Sequence, residues 1–146
     1  MDAPPVAPEL QPLLVELTDL AFSAKQAHWN VVGPFFRPLH LQLDDLFDDL
    51  RTWSDLVAER MVALGTPADA RIEVVAAQTP LPSFAAGFLE DRKVVSAVVA
   101  RIDDVVGRTR PRIDRLGDRD LVTQDMVIQI TAGLEKHRWM FAAQQP

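Results

Sequence analysis

Residues 40–59 read HLQLDDLFDDLRTWSDLVAE, and two patterns are superposed in them. Leu43, Leu46, Leu50, Trp53 and Val57 recur at three- and four-residue spacing and continue through Met61 and Leu64, which predicts one long helix, ~40 Å, from Pro38 to Gly65. Set against that apolar stripe are two pairs of metal-ligand type, His40 with Asp44 and Asp55 with Glu59, each spaced i, i+4 and so stacked on one helix face. Asp55 follows Asp44 by eleven residues, which returns to within roughly 20° of the same face but ~16 Å further along the axis. No single ion spans that gap. A second copy of the helix, antiparallel about a twofold axis near Asp49 and Leu50, would bring His40 and Asp44 of one chain beside Asp55 and Glu59 of the other. Two equivalent sites, roughly 22 Å apart along the helix pair, then follow from symmetry.

Outward from this helix, the same reasoning fills the chain. Upstream, Leu10, Leu13, Leu14, Leu17, Ala21 and Ala24 form a helical stripe on which His28 also falls, and Gly33-Pro34 should end that first helix. Residues 1–8 hold three prolines and read as a short flexible lead-in to a single domain over 9–146. Downstream, the connection from Gly65 to Pro82 is long for a helical bundle, and Asp69 would cap a short extra helix near Ala70 to Ala76 within a crossover. Ser83 precedes a third long helix through Phe84, Phe88, Val95, Val98, Ile102 and Val105, which Pro111 should kink or end. Thr123 would cap a last helix through Val127, Ile130, Leu134 and Phe141. No strand-like alternation competes, so the expected fold is all-α, a four-helix bundle with one short extra helix.

Composition narrows the function classes. The chain has 146 residues, enough for one core, and no cysteine, which removes disulfides and thiolate metal sites. Neither a signal-type start nor a membrane-length apolar run is present in it, so the expected location is cytoplasmic. A formal charge of −6 disfavours unaided binding to polyanions and suits the handling of cations. Taken alone, His28 on an apolar stripe is an ordinary core histidine, and the Asp44, Asp45, Asp48 and Asp49 group is a solvated acidic face. The two ligand pairs on one face are what solvation does not explain. Imidazole mixed with carboxylate suits iron, manganese or zinc better than calcium or copper(I). A diiron site assembled within one chain would need Glu-x-x-His elements, yet Glu16, Glu59, Glu90 and Glu135 are each followed three residues on by another residue type.

The run Lys25-Gln26-Ala27-His28-Trp29-Asn30-Val31, followed by Gly33, Phe36, Leu39-His40, Asp44 and Asp55-x-x-Ala58-Glu59-Arg60, resembles the Dps family of ferritin-like DNA-protecting proteins. Leu134-Glu135-Lys136-x-x-Trp139 resembles that family's last helix. The resemblance implies a dodecameric shell with iron-oxidising sites at twofold interfaces, where His28, His40 and Asp44 come from one chain and Asp55 and Glu59 from its mate. It further implies oxidation of Fe(II), preferentially by hydrogen peroxide, and storage of a ferric mineral, which protects DNA from hydroxyl radicals. Trp29 would be an electron-donor candidate beside the site, and Asp118, Asp120 and Asp125 candidates for an acidic pore admitting iron. As an isolated cluster those aspartates read as a solvated turn.

This chain departs from the family pattern at its basic residues. No lysine or arginine precedes Lys25, and the end, Phe141 to Pro146, is uncharged. Twelve copies at −6 each would carry about −72, so DNA binding is expected to be weak or absent, with nucleoid association left open. The rival reading is a nucleoid-compacting protein with little iron oxidation; a third is a cage holding zinc at the same residues.

Overall fold

The computed structural model describes residues 5–145. Five helices and a two-residue strand pair succeed one another: α1 (Ala7–Asn30), β1 (Val31–Val32), α2 (Phe36–Ala63), α3 (Ile72–Gln78), β2 (Leu89–Glu90), α4 (Asp91–Gly117) and α5 (Leu121–Ala142). The four long helices form the bundle and α3 rides on the crossover, packed against α1. Positions 1–4 of the expected lead-in lie outside the described residues, and α1 already begins at Ala7, with Pro8 in its first turn where a missing N–H costs nothing.

The apolar stripes meet in one core. Leu10, Leu13, Leu17 and Leu20 of α1 and Leu39, Leu43, Leu46 and Leu50 of α2 are almost wholly removed from solvent, and Val94, Val98, Ile102, Val127, Ile130 and Leu134 close it from α4 and α5. A row of ion pairs fixes how α1 lies on α4. Glu9 takes Nε and Nη2 of Arg115 at 2.8 Å, fully buried Glu16 takes Arg108 and, at 2.6 Å, Arg112, and Asp19 with Ser23 takes Arg101. The acids climb α1 as the arginines descend α4, which is the order antiparallel helices require.

Four sequence expectations are corrected. The third long helix starts at Asp91, not near Phe84: Gly87, at φ +83°, interrupts the Phe84/Phe88 spacing, Phe88 is exposed, and Phe84 sits under the Arg101 guanidinium. Of the kink or end expected at Pro111, the end does not occur; Pro111 and the residue four before it, Gly107, are both exposed, so the carbonyl that loses its partner faces water. Asp69 does not cap α3; its carboxylate holds the Arg71 guanidinium at 2.9 Å, while its backbone is bound at both N–H and C=O by the Gln11 side chain. Asp120, not Thr123, caps α5, its carboxylate accepting the Val122 N–H at 3.1 Å. A short parallel bridge pairing Val31 with Leu89 and Val32 with Glu90 also exists, too brief to leave an alternating signal.

Two turns set where α2 begins and ends. At its start, buried Asp91 accepts the Phe35 N–H at 2.9 Å and the Arg92 N–H at 2.8 Å, latching the α1–α2 turn to α4. Gly33 makes this possible, because it has φ +126° and a Cβ there would stand 2.6 Å from Asp91 Oδ2. At its end, Gly65 at φ +82° donates to Val62 O while Thr66 donates to Met61 O, the paired bonds of a Schellman stop. Between them α2 runs unbroken for 28 residues, and no helix among the described residues is long and apolar enough to cross a membrane.

Candidate metal centre

Where α1 ends and α2 begins, His28 and His40 stack with ring centroids 3.6 Å apart and planes 13° from parallel. His28 Nδ1 lies 2.7 Å from the His40 carbonyl oxygen, and His40 Nδ1 lies 2.7 Å from the His28 carbonyl oxygen. A carbonyl only accepts, so each Nδ1 carries a hydrogen, and the tautomer this selects is the one whose Nε2 lone pair is left for a metal. The reciprocal bonds lock both rings in ligand-ready tautomers. Phe36 stacks on the other side of His40 at 5.0 Å, and His28 is buried.

Asp44 stands beside this pair, its Oδ1 3.5 Å from His28 Nδ1. Lys25 donates to the same oxygen, and that hydrogen bond, with the ammonium charge behind it, holds the Asp44 carboxyl below its usual range against the opposing effect of burial. The Lys25 ammonium also lies 4.8 Å from the centre of the Phe47 ring. His28, His40 and Asp44 are thus brought together by one chain.

Asp55 and Glu59 are not brought to them. Both are exposed on the same unbroken helix, ~16 Å beyond Asp44 by helical rise. Within one chain, among the described residues, no three His, Asp or Glu side chains are arranged to hold an ion. Asp55 borders a groove between α1 and α2 lined also by Thr18, Phe22, Arg51 and Ala58.

The remaining candidates divide. Trp29 is 65% exposed next to His28. Trp53 is packed edge-on to His137 at 6.1 Å and against Gly133, where a Cβ would come within 2.3 Å of the indole; His137 in turn donates to Asp49 at 2.6 Å. Asp118 and Asp125 are exposed and form no ion pair among the described residues. Asp120 is instead occupied, accepting from Thr123 Oγ1 at 2.5 Å and Arg60 Nη2 at 2.6 Å as well as from the helix backbone. The Thr123 hydroxyl first, then Arg60 and the Val122 N–H, lower its pKa to about 2. Arg60 adds a bond to Thr123 Oγ1 at 2.9 Å and so ties the end of α2, next to Glu59, to the start of α5.

Sequence reasoning did not single out Lys25, Asp91 or Arg60. For Lys25 a signal existed, since its i, i+3 spacing from His28 places both on one face of α1. Phe35, which Asp91 holds, and Asp120 and Thr123, which Arg60 holds, lie 56 to 63 positions away, and nothing local announces them.

Residues 9–145 match the ferritin-like domain. The chain is 32% identical over 92% of its length to DNA protection during starvation protein 2 of Deinococcus radiodurans, and spans 56% of that protein. To the DNA protection during starvation protein of Mycolicibacterium smegmatis it is 34% identical, over 94% of this chain and 75% of that one. The solved structure of Dps from Microbacterium arborescens in the high iron form superposes with a TM-score of 0.91 at 36% identity, covering 95% of this chain and 91% of that one.

Proposed function

Because this chain belongs to the ferritin-like domain family, among the DNA-protection-during-starvation (Dps) proteins, we propose that it oxidises ferrous iron at sites shared between two copies and stores the ferric product inside a dodecameric shell. The observation that carries this reading is the split ligand set. His28, His40 and Asp44 form one half-site with two free Nε2 atoms, and Asp55 with Glu59 forms the complementary half on the same α2 face. A twofold partner supplies the missing half to each.

The chemistry follows from donor type. Asp55 and Glu59 are hard anionic ligands that favour the ferric product, while the neutral imidazoles complete the shell and leave positions open for oxidant. In the peroxide reaction two ferrous ions each give up one electron, the O–O bond breaks and two hydroxides form. Iron and peroxide are removed together, which denies DNA the hydroxyl radical their separate reaction would make. Lys25 engages only Oδ1 of Asp44, so Asp44 binds iron through its other oxygen or acts on the site from beside it.

The remaining parts of the reading follow the same support. Trp29, exposed beside His28, is placed to reduce stray oxidant. Asp118 and Asp125 stay candidates for an acidic inlet, with Asp120 committed to holding α5. A net charge of −6 per chain opposes direct DNA binding, so protection acts through iron removal in the cytoplasm rather than through compaction of the nucleoid.

The test is anaerobic addition of Fe(II) to the purified protein, then peroxide, following ferric absorbance and particle mass in wild type and in D55A/E59A. Fast oxidation that is lost in the variant supports the reading. No peroxide-driven oxidation in either protein would sink it.

A further inference from the structure

The α2 face bearing the candidate ligands carries two more charges that nothing among the described residues answers. At 100° per residue, Asp48 and Arg51 fall within about 40° of Asp44, on the side opposite the buried Leu43, Leu46 and Leu50. Both are exposed, and neither side chain forms a salt bridge or hydrogen bond among the described residues. In this respect Arg51, like Arg37 and Arg92, differs from the arginines from Arg101 onward, each of which meets a carboxylate. The same face leaves Leu41 47% and Val62 61% exposed. It is a charged and apolar surface without a neighbour.

Its charges are complementary to themselves. In the antiparallel pairing that sets His40 against Glu59 and Asp44 against Asp55, each partnership steps inward by four residues on both helices. The next step sets Asp48 against Arg51, once on each side of the axis, and the neighbouring row sets Leu41 against Ala58. We propose that Asp48 and the partner subunit's Arg51 form reciprocal salt bridges across the twofold axis, fixing the register that assembles the sites. They are positioning residues and touch no iron. This rests on the intersubunit reading above and names what enforces it.

Competing registers fail on the same residues. A slip of one helical turn in one direction sets Asp48 against Asp55 and Asp44 against Glu59, both like-charge pairs, and Arg51 against Thr52. A slip in the other direction sets Asp44 against Arg51 and His40 against Asp55 but leaves Glu59 against Phe36 and Asp48 against Phe47, two carboxylates facing aromatic rings. Only the proposed register pairs every charge on this face with an opposite charge or a ligand partner.

The experiment uses full-length D48R, R51D and the exchanged D48R/R51D in metal-free, chelator-containing buffer, with dimer dissociation measured by sedimentation across a dilution series. Each single reversal places two like-charge contacts in every dimer and is expected to weaken association at least tenfold, with far-UV circular dichroism unchanged because both side chains are exposed. The exchanged variant, which restores opposite charges with roles swapped, is expected to return to within about threefold of wild type. Single variants that associate like wild type, or an exchange that rescues nothing, would overturn the pair. Because no iron is present, the two readings fail separately. If the exchange rescues association yet wild type oxidises no iron, the proposed function falls and the pair stands; if wild type oxidises iron and the exchange fails to rescue, the reverse holds.

Discussion

The two histidines show how single backbone atoms select a ligand. Each ring gives its Nδ1 hydrogen to the other residue's carbonyl, so a hydrogen bond rather than the metal decides which nitrogen is free. Asp120 is a second residue whose neighbours determine its use. It caps α5 and binds Arg60 and Thr123, so Asp120→Ala is expected to cost about 1–2 kcal/mol in urea unfolding, as lost N-caps do. Its pKa is depressed from 3.8 to about 2, so its stabilisation is fully present above 3.8 and is lost as pH falls through 2. D120A should therefore unfold with a shallower dependence on pH across that window than wild type; an unchanged slope would place the depression elsewhere. The pairs His40 with Asp44 and Asp55 with Glu59 can be proposed from the sequence because i, i+4 spacing on continuous helix maps directly onto space, whereas the stacking of His28, on α1, against His40 has no such local signal. The role of Asp120 is not legible, because Asp118, Asp120 and Thr123 are all plausible caps and only contact with Arg60, 60 positions distant, separates them.

Among the elements, the helices are read correctly wherever an apolar stripe runs uninterrupted, and misread where proline, glycine or tertiary contacts decide. Phe84 and Phe88 imitate a helical stripe, but a left-handed Gly87 sits between them. The two turns bounding α2 give a graded comparison. Gly65→Ala meets open space and should cost only the backbone penalty, about 1 kcal/mol. Gly33→Ala adds a collision with the Asp91 carboxylate and should cost distinctly more, about 2–4 kcal/mol, with equal denaturation midpoints for the two contradicting the latch. The α1–α4 ion row gives another contrast. Glu16→Ala strands the buried Arg112 guanidinium and should cost about 3–5 kcal/mol, whereas Glu135→Ala, whose partner Arg110 is exposed, should cost less than about 1 kcal/mol. This row was open to reading from the sequence, since acids spaced along the first helix and arginines along the third run in opposite order, but only knowledge that the two helices touch gives the spacing meaning.

For the whole molecule, the proposed function turns on one chain holding half of each site. A bundle that buries its own core still leaves the outer face of α2 with ligands, charges and apolar side chains that have no neighbour. Net charge then separates the functions open to an assembled shell. At −6 per chain, gel shifts at neutral pH and physiological salt should show no retained DNA complex, and a salt-resistant shift would contradict protection by iron removal alone. The most direct test of the shared site is complementation. Chains lacking the imidazole half (H28A/H40A) and chains lacking the carboxylate half (D55A/E59A) are each inactive if the site needs both. Co-assembled at equal amounts, they should regain about a quarter of wild-type peroxide-driven Fe(II) oxidation, the fraction of sites in which an intact half from one chain meets an intact half from the other. Mixtures as inactive as the separate variants would contradict a site built between two copies.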